Sequence, residues 1–145
     1  MVNELQAVVE ELGGKPVFGR LLRTETELQG AIRKGFPQSV VEEVRRSAQL
    51  TLKELAASLD LSARSLQRRR REGRLARYES DRLYRLARIV TLAKYYLGDE
   101  GTAIRWLKRP NRALGGIPPI RAIDTEPGAR SVENVLGRIA YGGVS

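Results

Sequence analysis

Arg64, Gln67, Arg68 and Arg71 recur at i, i+3, i+4 and i+7, a spacing that sets four long polar side chains in one stripe along a helix. A guanidinium carries five N–H donors in a planar fork, so such a row can grip phosphates or the O6/N7 edge of guanine in a major groove. Ser62 is placed to N-cap this helix, Ser65 lies in its first turn, and Leu66 must face inward. Ser62, Arg64, Ser65, Gln67, Arg68 and Arg71 are therefore the candidate contacts to double-stranded DNA. A preceding helix from about Thr51 to Ser58 turns Leu52, Leu55, Ala56 and Leu59 inward, and a tight turn follows at Asp60-Leu61. The pair forms a helix-turn-helix over about residues 51–71. Asp60 stands where many such turns carry glycine, and Asp tolerates a left-handed backbone better than most residues. The competing reading is a solvated basic face on a helical bundle. Four consecutive arginines at 68–71 exceed what solubility asks for.

The elements that must position this stripe are helical. Residues 3–12 form an amphipathic helix closed by Gly13-Gly14, and Thr24 with Glu27 makes a capping box for a second helix reaching Arg33. Gly35-Phe36-Pro37 breaks it, and Ser39 to Ala48 resumes with Val40, Val41 and Val44 on one side. From Ser80 to Leu97, Leu83, Leu86, Ala87, Val90 and Ala93 mark the longest helix, with Arg82, Arg85 and Arg88 on its polar face. Asp99 caps a helix through Leu107 that carries Trp106. Residues 109–120, RPNRALGGIPPI, read as non-helical because proline and glycine interrupt them repeatedly. Thr125 caps a last helix that buries Val132, Leu136 and Ile139, and residues 142–145 read as a flexible tail. The fold class is all-α, a bundle of about seven helices. Residues 1–78 are expected to form an N-terminal region with the helix-turn-helix, and residues 79–145 a C-terminal domain.

Composition bounds the chemistry. Zero Cys leaves no disulfide or thiolate metal site, and zero His removes the commonest general base and metal ligand. No metal or cofactor is called for, and catalysis would need a convergent set such as Asp99, Glu100 and Lys108. Paired carboxylates like these also occur at helix N-termini for dipole reasons. No apolar run approaches a membrane span. The first residues carry acids and no basic leader region, so cytoplasmic residence is the default expectation. Of the net charge of +9, residues 62–94 hold 11 Arg or Lys against 3 acids. That concentration is the footprint of a polyanion-binding surface.

The motifs of the second half resemble a known family. Leu61-Ser62, Arg64-Ser65-Leu66 and Arg68-Arg69 are followed by Gly73-Arg74-Leu75 and Glu79-Ser80-Asp81-Arg82-Leu83. Then come Trp106-Leu107, Pro110-Asn111, Ala113-Leu114-Gly115-Gly116, Pro119, Thr125-Glu126, Gly128-Ala129, Val132-Glu133 and Leu136-Gly137-Arg138-Ile139. This order and spacing, over roughly residues 16–145, resembles the antitoxins of the Xre/MbcA/ParS family. The resemblance implies a C-terminal domain that binds a RES-domain toxin, an enzyme consuming NAD or using it for ADP-ribosylation, and blocks its NAD pocket. It also implies an Xre/Cro-like helix-turn-helix that represses the shared operon, and a homodimer within a larger toxin–antitoxin complex. Carried over residue by residue, the toxin-facing positions are Trp106, Asn111, Leu114, Gly115, Gly116, Pro119, Glu133, Arg138 and Tyr141. Trp106 and Leu114 read more readily as core than as contact, and Gly115-Gly116 also as a turn. Arg138 and Tyr141 are polar, terminal and chemically suited to a dinucleotide pocket. The alternative function is a stand-alone transcriptional regulator whose C-terminal domain only dimerises or senses a ligand.

Overall fold

Side chains that accept hydrogen bonds from the first-turn amides set the starts of most helices in this chain, because those amides have no partner inside the helix. In a computed structural model, which describes residues 3–142, Thr24 and Glu27 form the reciprocal capping box at the start of one helix, and Thr51 and Glu54 form another. Ser62, Asp99 and Thr125 cap three more by accepting from Ser65, Thr102 and Gly128 at 3.0, 2.8 and 3.1 Å. The helices are α1 (Glu4–Glu11), α2 (Gly14–Phe18), α3 (Glu25–Lys34), α4 (Ser39–Ser47), α5 (Leu52–Ser58), α6 (Ala63–Glu72), α7 (Arg77–Leu97), α8 (Glu100–Lys108), α9 (Pro119–Ala122) and α10 (Glu126–Ala140). A single 3₁₀ turn, Arg112–Leu114, precedes α9. Among the described residues, pairing of the β type is limited to two isolated bridges, Pro37 with Arg74 and Asn111 with Ile117.

The class is all-α, with more helices than the seven expected. Gly13-Gly14, expected only to close the first helix, also opens the short helix α2, which ends on Gly19 at φ 74°. In the proline-rich stretch, α9 starts with Pro119 at its first position, where the missing N–H costs nothing. Helix α7 begins at Arg77, three residues before the expected start. The Glu79 carboxylate accepts from the Ala76 amide at 2.7 Å and so caps the extra turn.

Helix α7 is the axis of the molecule. Its Leu83, Leu86, Ala87, Ile89, Val90 and Ala93 are wholly buried, with α1, α3 and α4 packed on it and α8 and α10 covering the rest. One continuous apolar core runs from Val8 to Leu136, so the two halves share packing along α7. Arg82, Arg85 and Arg88, on the polar face of this helix, are engaged by other parts of the fold. Arg82 donates to the carbonyls of Leu59 and Asp60 at 3.1 and 3.2 Å, closing the end of α5. Arg85 donates to Glu126 and to the Ile123 carbonyl at 3.2 and 3.1 Å, and Arg88 pairs with Glu126 and Glu133. These guanidiniums fasten α10 to α7.

Candidate functional site

The turn between α5 and α6 depends on one unusual backbone conformation. Asp60 has φ 54°, the left-handed region that non-glycine residues seldom enter. The Arg82 guanidinium on the Asp60 and Leu59 carbonyls holds it there. Helix α6 then starts on Ser62, whose hydroxyl also bonds that of Ser65 at 2.9 Å. Leu66 is its one buried side chain and locks it against the body. With Leu66 inside, Arg64, Gln67, Arg68 and Arg71 stand on the opposite face, and all four are exposed. None of the three arginines makes an ion pair among the described residues. Such unpartnered guanidiniums on a helix about 15 Å long suit a major groove roughly 12 Å wide.

The run of four arginines splits by role. Arg69 turns inward, donating to Glu79 at 2.8 Å and to Glu72 at 2.6 Å. The two carboxylates hold its guanidinium firmly protonated. Glu79 is almost fully buried and closes this link between α6 and α7. Spacing leaves Arg69 off the outward stripe, but its buried partner lies ten residues away on the next helix, where no local pattern points to it.

The residues carried over as toxin-facing fall in two places. Asn111 accepts from the Ala113 amide at 2.9 Å and pairs by backbone with Ile117, making a small hairpin with Leu114, Gly115 and Gly116 at its tip. Gly115 and Gly116 are exposed with φ 73° and 86°, and nothing occupies the space beside them. Their left-handed backbone accounts for glycine at both positions. Trp106 and Leu114 are half-buried against the core, and Pro119 is buried at the start of α9. The second place is the end of α10, where Glu133, Arg138 and Tyr141 line an open groove of about 640 Å³ together with Asn134. Arg138 is exposed in the last helical turn, and Tyr141 is 82% exposed and stacks edge-on against Tyr96 at 6.2 Å. Glu133 faces Arg88, so its first task is structural. The hairpin packs beside the first turns of α10. Arg138 lies ten residues beyond Gly128, about 15 Å further along the helix.

Asn134, the exposed Ile117 and the Tyr96 shelf were missed, since no local pattern sets them apart. The trio Asp99, Glu100 and Lys108 is not brought together. Asp99 caps α8, and the Thr102 amide holds its carboxyl below the usual carboxylate range. Glu100 lies 3.7 Å from Lys94, and Lys108 reaches the Gln49 carbonyl at the other end of α8. Among the described residues no three potential metal ligands gather, and no helix is long and apolar enough to cross a membrane. Of the tail expected at 142–145, residues 143–145 lie outside the described residues.

Comparison with known proteins matches both halves. Residues 27–88 fit the antitoxin Xre-like helix-turn-helix domain, and residues 92–142 fit the antitoxin Xre/MbcA/ParS C-terminal toxin-binding domain. The two matches meet inside α7. An antitoxin Xre from Yersinia enterocolitica is 34% identical over 119 residues, which is 81% of this chain and 80% of that protein. One from Photorhabdus laumondii is 32% identical over 120 residues, 81% of each. One from Pseudomonas putida is 33% identical over 122 residues, 83% of this chain and 76% of the relative.

Proposed function

The chain belongs to the antitoxin Xre family, and from that premise we propose that it inhibits a RES-type, NAD-consuming toxin by closing its active site, and represses its own operon by binding operator DNA. The end of α10 carries the first activity and α6 the second. The observation that supports this reading is the separation of two exposed surfaces whose polar groups make no ion pair among the described residues. On α6 these groups are Arg64, Gln67, Arg68 and Arg71; at the end of α10 they are Arg138 and Tyr141. A guanidinium and a phenol at a helix end suit a pocket shaped for a dinucleotide, one for phosphate and the other for ring stacking. Blocking a pocket asks for no catalytic group on the blocker, which accords with a chain that has neither His nor Cys.

On this reading the protein acts as a homodimer within a larger toxin–antitoxin assembly. Paired α6 helices one turn of DNA apart would read a two-fold operator. The test is co-expression with the product of the adjacent gene, followed by size exclusion and an NAD-consumption assay. A stable complex that spares NAD, with the partner alone depleting it, is the expected result. A partner that consumes no NAD would remove the RES assignment. Deleting residues 140–145 should restore toxin activity without unfolding the bundle, checked by circular dichroism and the same assay.

A further inference from the structure

The α6 stripe accounts for only part of the unpaired positive charge on this side of the molecule. Gly35 and Phe36 meet Leu75, and Gln38 meets Gly73, in a short backbone seam: the Leu75 amide donates to the Phe36 carbonyl at 2.9 Å and the Gln38 amide to the Gly73 carbonyl at 3.0 Å. Arg74 pins the seam by donating to the Gly35 carbonyl. Gly35 has φ 93°, and a Cβ there would sit 2.2 Å from the Leu75 carbonyl oxygen, so the approach admits only glycine. The seam therefore holds the last turn of α3 rigidly against the loop that leaves α6.

Two pairs of cations result. Arg33 and Arg77 line one groove beside the end of α3, and Lys34 and Arg74 line another. All four are exposed, and none makes an ion pair among the described residues. One carboxylate, Asp81, lines the first groove and also lies 4.0 Å from Arg85; in the second, Arg20 is paired with Glu27 at 2.8 Å. Like charges in excess over their counterions are mildly unfavourable in the free protein, and a bound anion would relieve the excess. The ridge continues from the C-terminal end of α6, where Arg70 and Arg71 are also exposed. A helix whose first turns lie among base edges emerges from the groove at its other end, where the phosphates run.

We propose that Arg33, Lys34 and Arg77, positioned by the Gly35–Arg74 seam, form a phosphate clamp that extends the DNA interface from α6 onto α3. This rests on the reading of α6 as the DNA-binding helix. The clamp fixes the protein on the duplex and carries no sequence information; Arg64 and Arg68 supply that.

Fluorescence anisotropy with a labelled mixed-sequence duplex and with the chain's own promoter, titrated with KCl, separates the two roles. Each phosphate contact contributes about 0.9 to the slope of log K against log salt. R33A/K34A should flatten the slope by about 1.8, and adding R77A should flatten it by about 2.7, with the promoter-to-mixed affinity ratio unchanged. Among the described residues the Arg33 and Lys34 side chains make no bond beyond α3 itself, Arg33 reaching only Gln29 at 3.5 Å, so the double variant keeps the fold, and its thermal melt checks this. An unchanged slope with normal wild-type binding would overturn the clamp and leave the α6 reading standing. An unchanged slope with weakened toxin capture would assign the ridge to an acidic protein surface instead. A wild-type protein that binds neither duplex would overturn both.

Discussion

Helix α6 and the first half of α7 are both rich in arginine, yet the fold uses the two sets in opposite ways. On α7, Arg82, Arg85 and Arg88 are bonded to carbonyls and carboxylates of α5, α9, α10 and the turns between them. On α6, Arg64, Arg68 and Arg71 are exposed and make no ion pair among the described residues, while Arg69 is drawn in. Residue type is the same in both segments. The difference is whether a partner comes to meet the guanidinium, and a set left unmet is available to a ligand. Charge counted along a sequence overstates a binding surface wherever long-range partners consume it.

The largest expected effect tests the free set. R64A/R68A should weaken promoter binding by about 100-fold or more, since each forked base contact is worth about 1–3 kcal/mol. Its melting temperature should stay within a degree or two of the wild type, because nothing in the fold loses a partner. Weak binding accompanied by a lowered melting temperature would place those arginines among the structural ones.

The second tests the employed set. R88A leaves Glu133 without its cation and Glu126 with Arg85 alone, and α10 loses a fastening to α7. Urea unfolding should show a loss of about 2 kcal/mol, below the 3–5 kcal/mol of a fully buried pair because the carboxylates are partly solvated. DNA affinity of the folded fraction should be unaltered. A loss under about 0.5 kcal/mol would mean that Arg88 is as free as Arg64.

The smallest concerns the turn between the two sets. D60G places glycine at φ 54°, where it carries no side-chain penalty, and should stabilise the protein by about 0.5 kcal/mol with DNA binding unchanged. A destabilised variant would show that the Asp side chain supports the turn in a way its backbone does not reveal.

These contrasts also mark what could be read in the sequence. Helix starts were legible because their signals are local: Thr24 with Glu27, Ser62, Asp99 and Thr125 each act within three residues. The outward stripe on α6 was legible for the same reason, its geometry following from spacing once Leu66 is placed inside. The work of Arg85 and Arg88 was not, since Ile123, Glu126 and Glu133 lie some forty residues on, and only tertiary packing brings them near. Helix α9 hid behind its prolines, and Pro119, named for a partner surface, is buried as the first residue of that helix. Gly128 carries a similar lesson. A Cβ there would meet the Ala122 carbonyl oxygen at 1.7 Å, so that glycine of the family-like motif serves the packing of α10 on α9.

Whether the α6 and α10 surfaces act independently is best tested by assaying three proteins side by side: the wild type, R64A/R68A, and a chain ending at Ile139. Each is measured for promoter binding by anisotropy and for suppression of NAD loss by the adjacent-gene product. The account predicts that R64A/R68A loses the promoter and still spares NAD, while the shortened chain holds the promoter and fails to spare it. If either variant loses both properties while remaining folded, the two surfaces are not separate and the account is wrong.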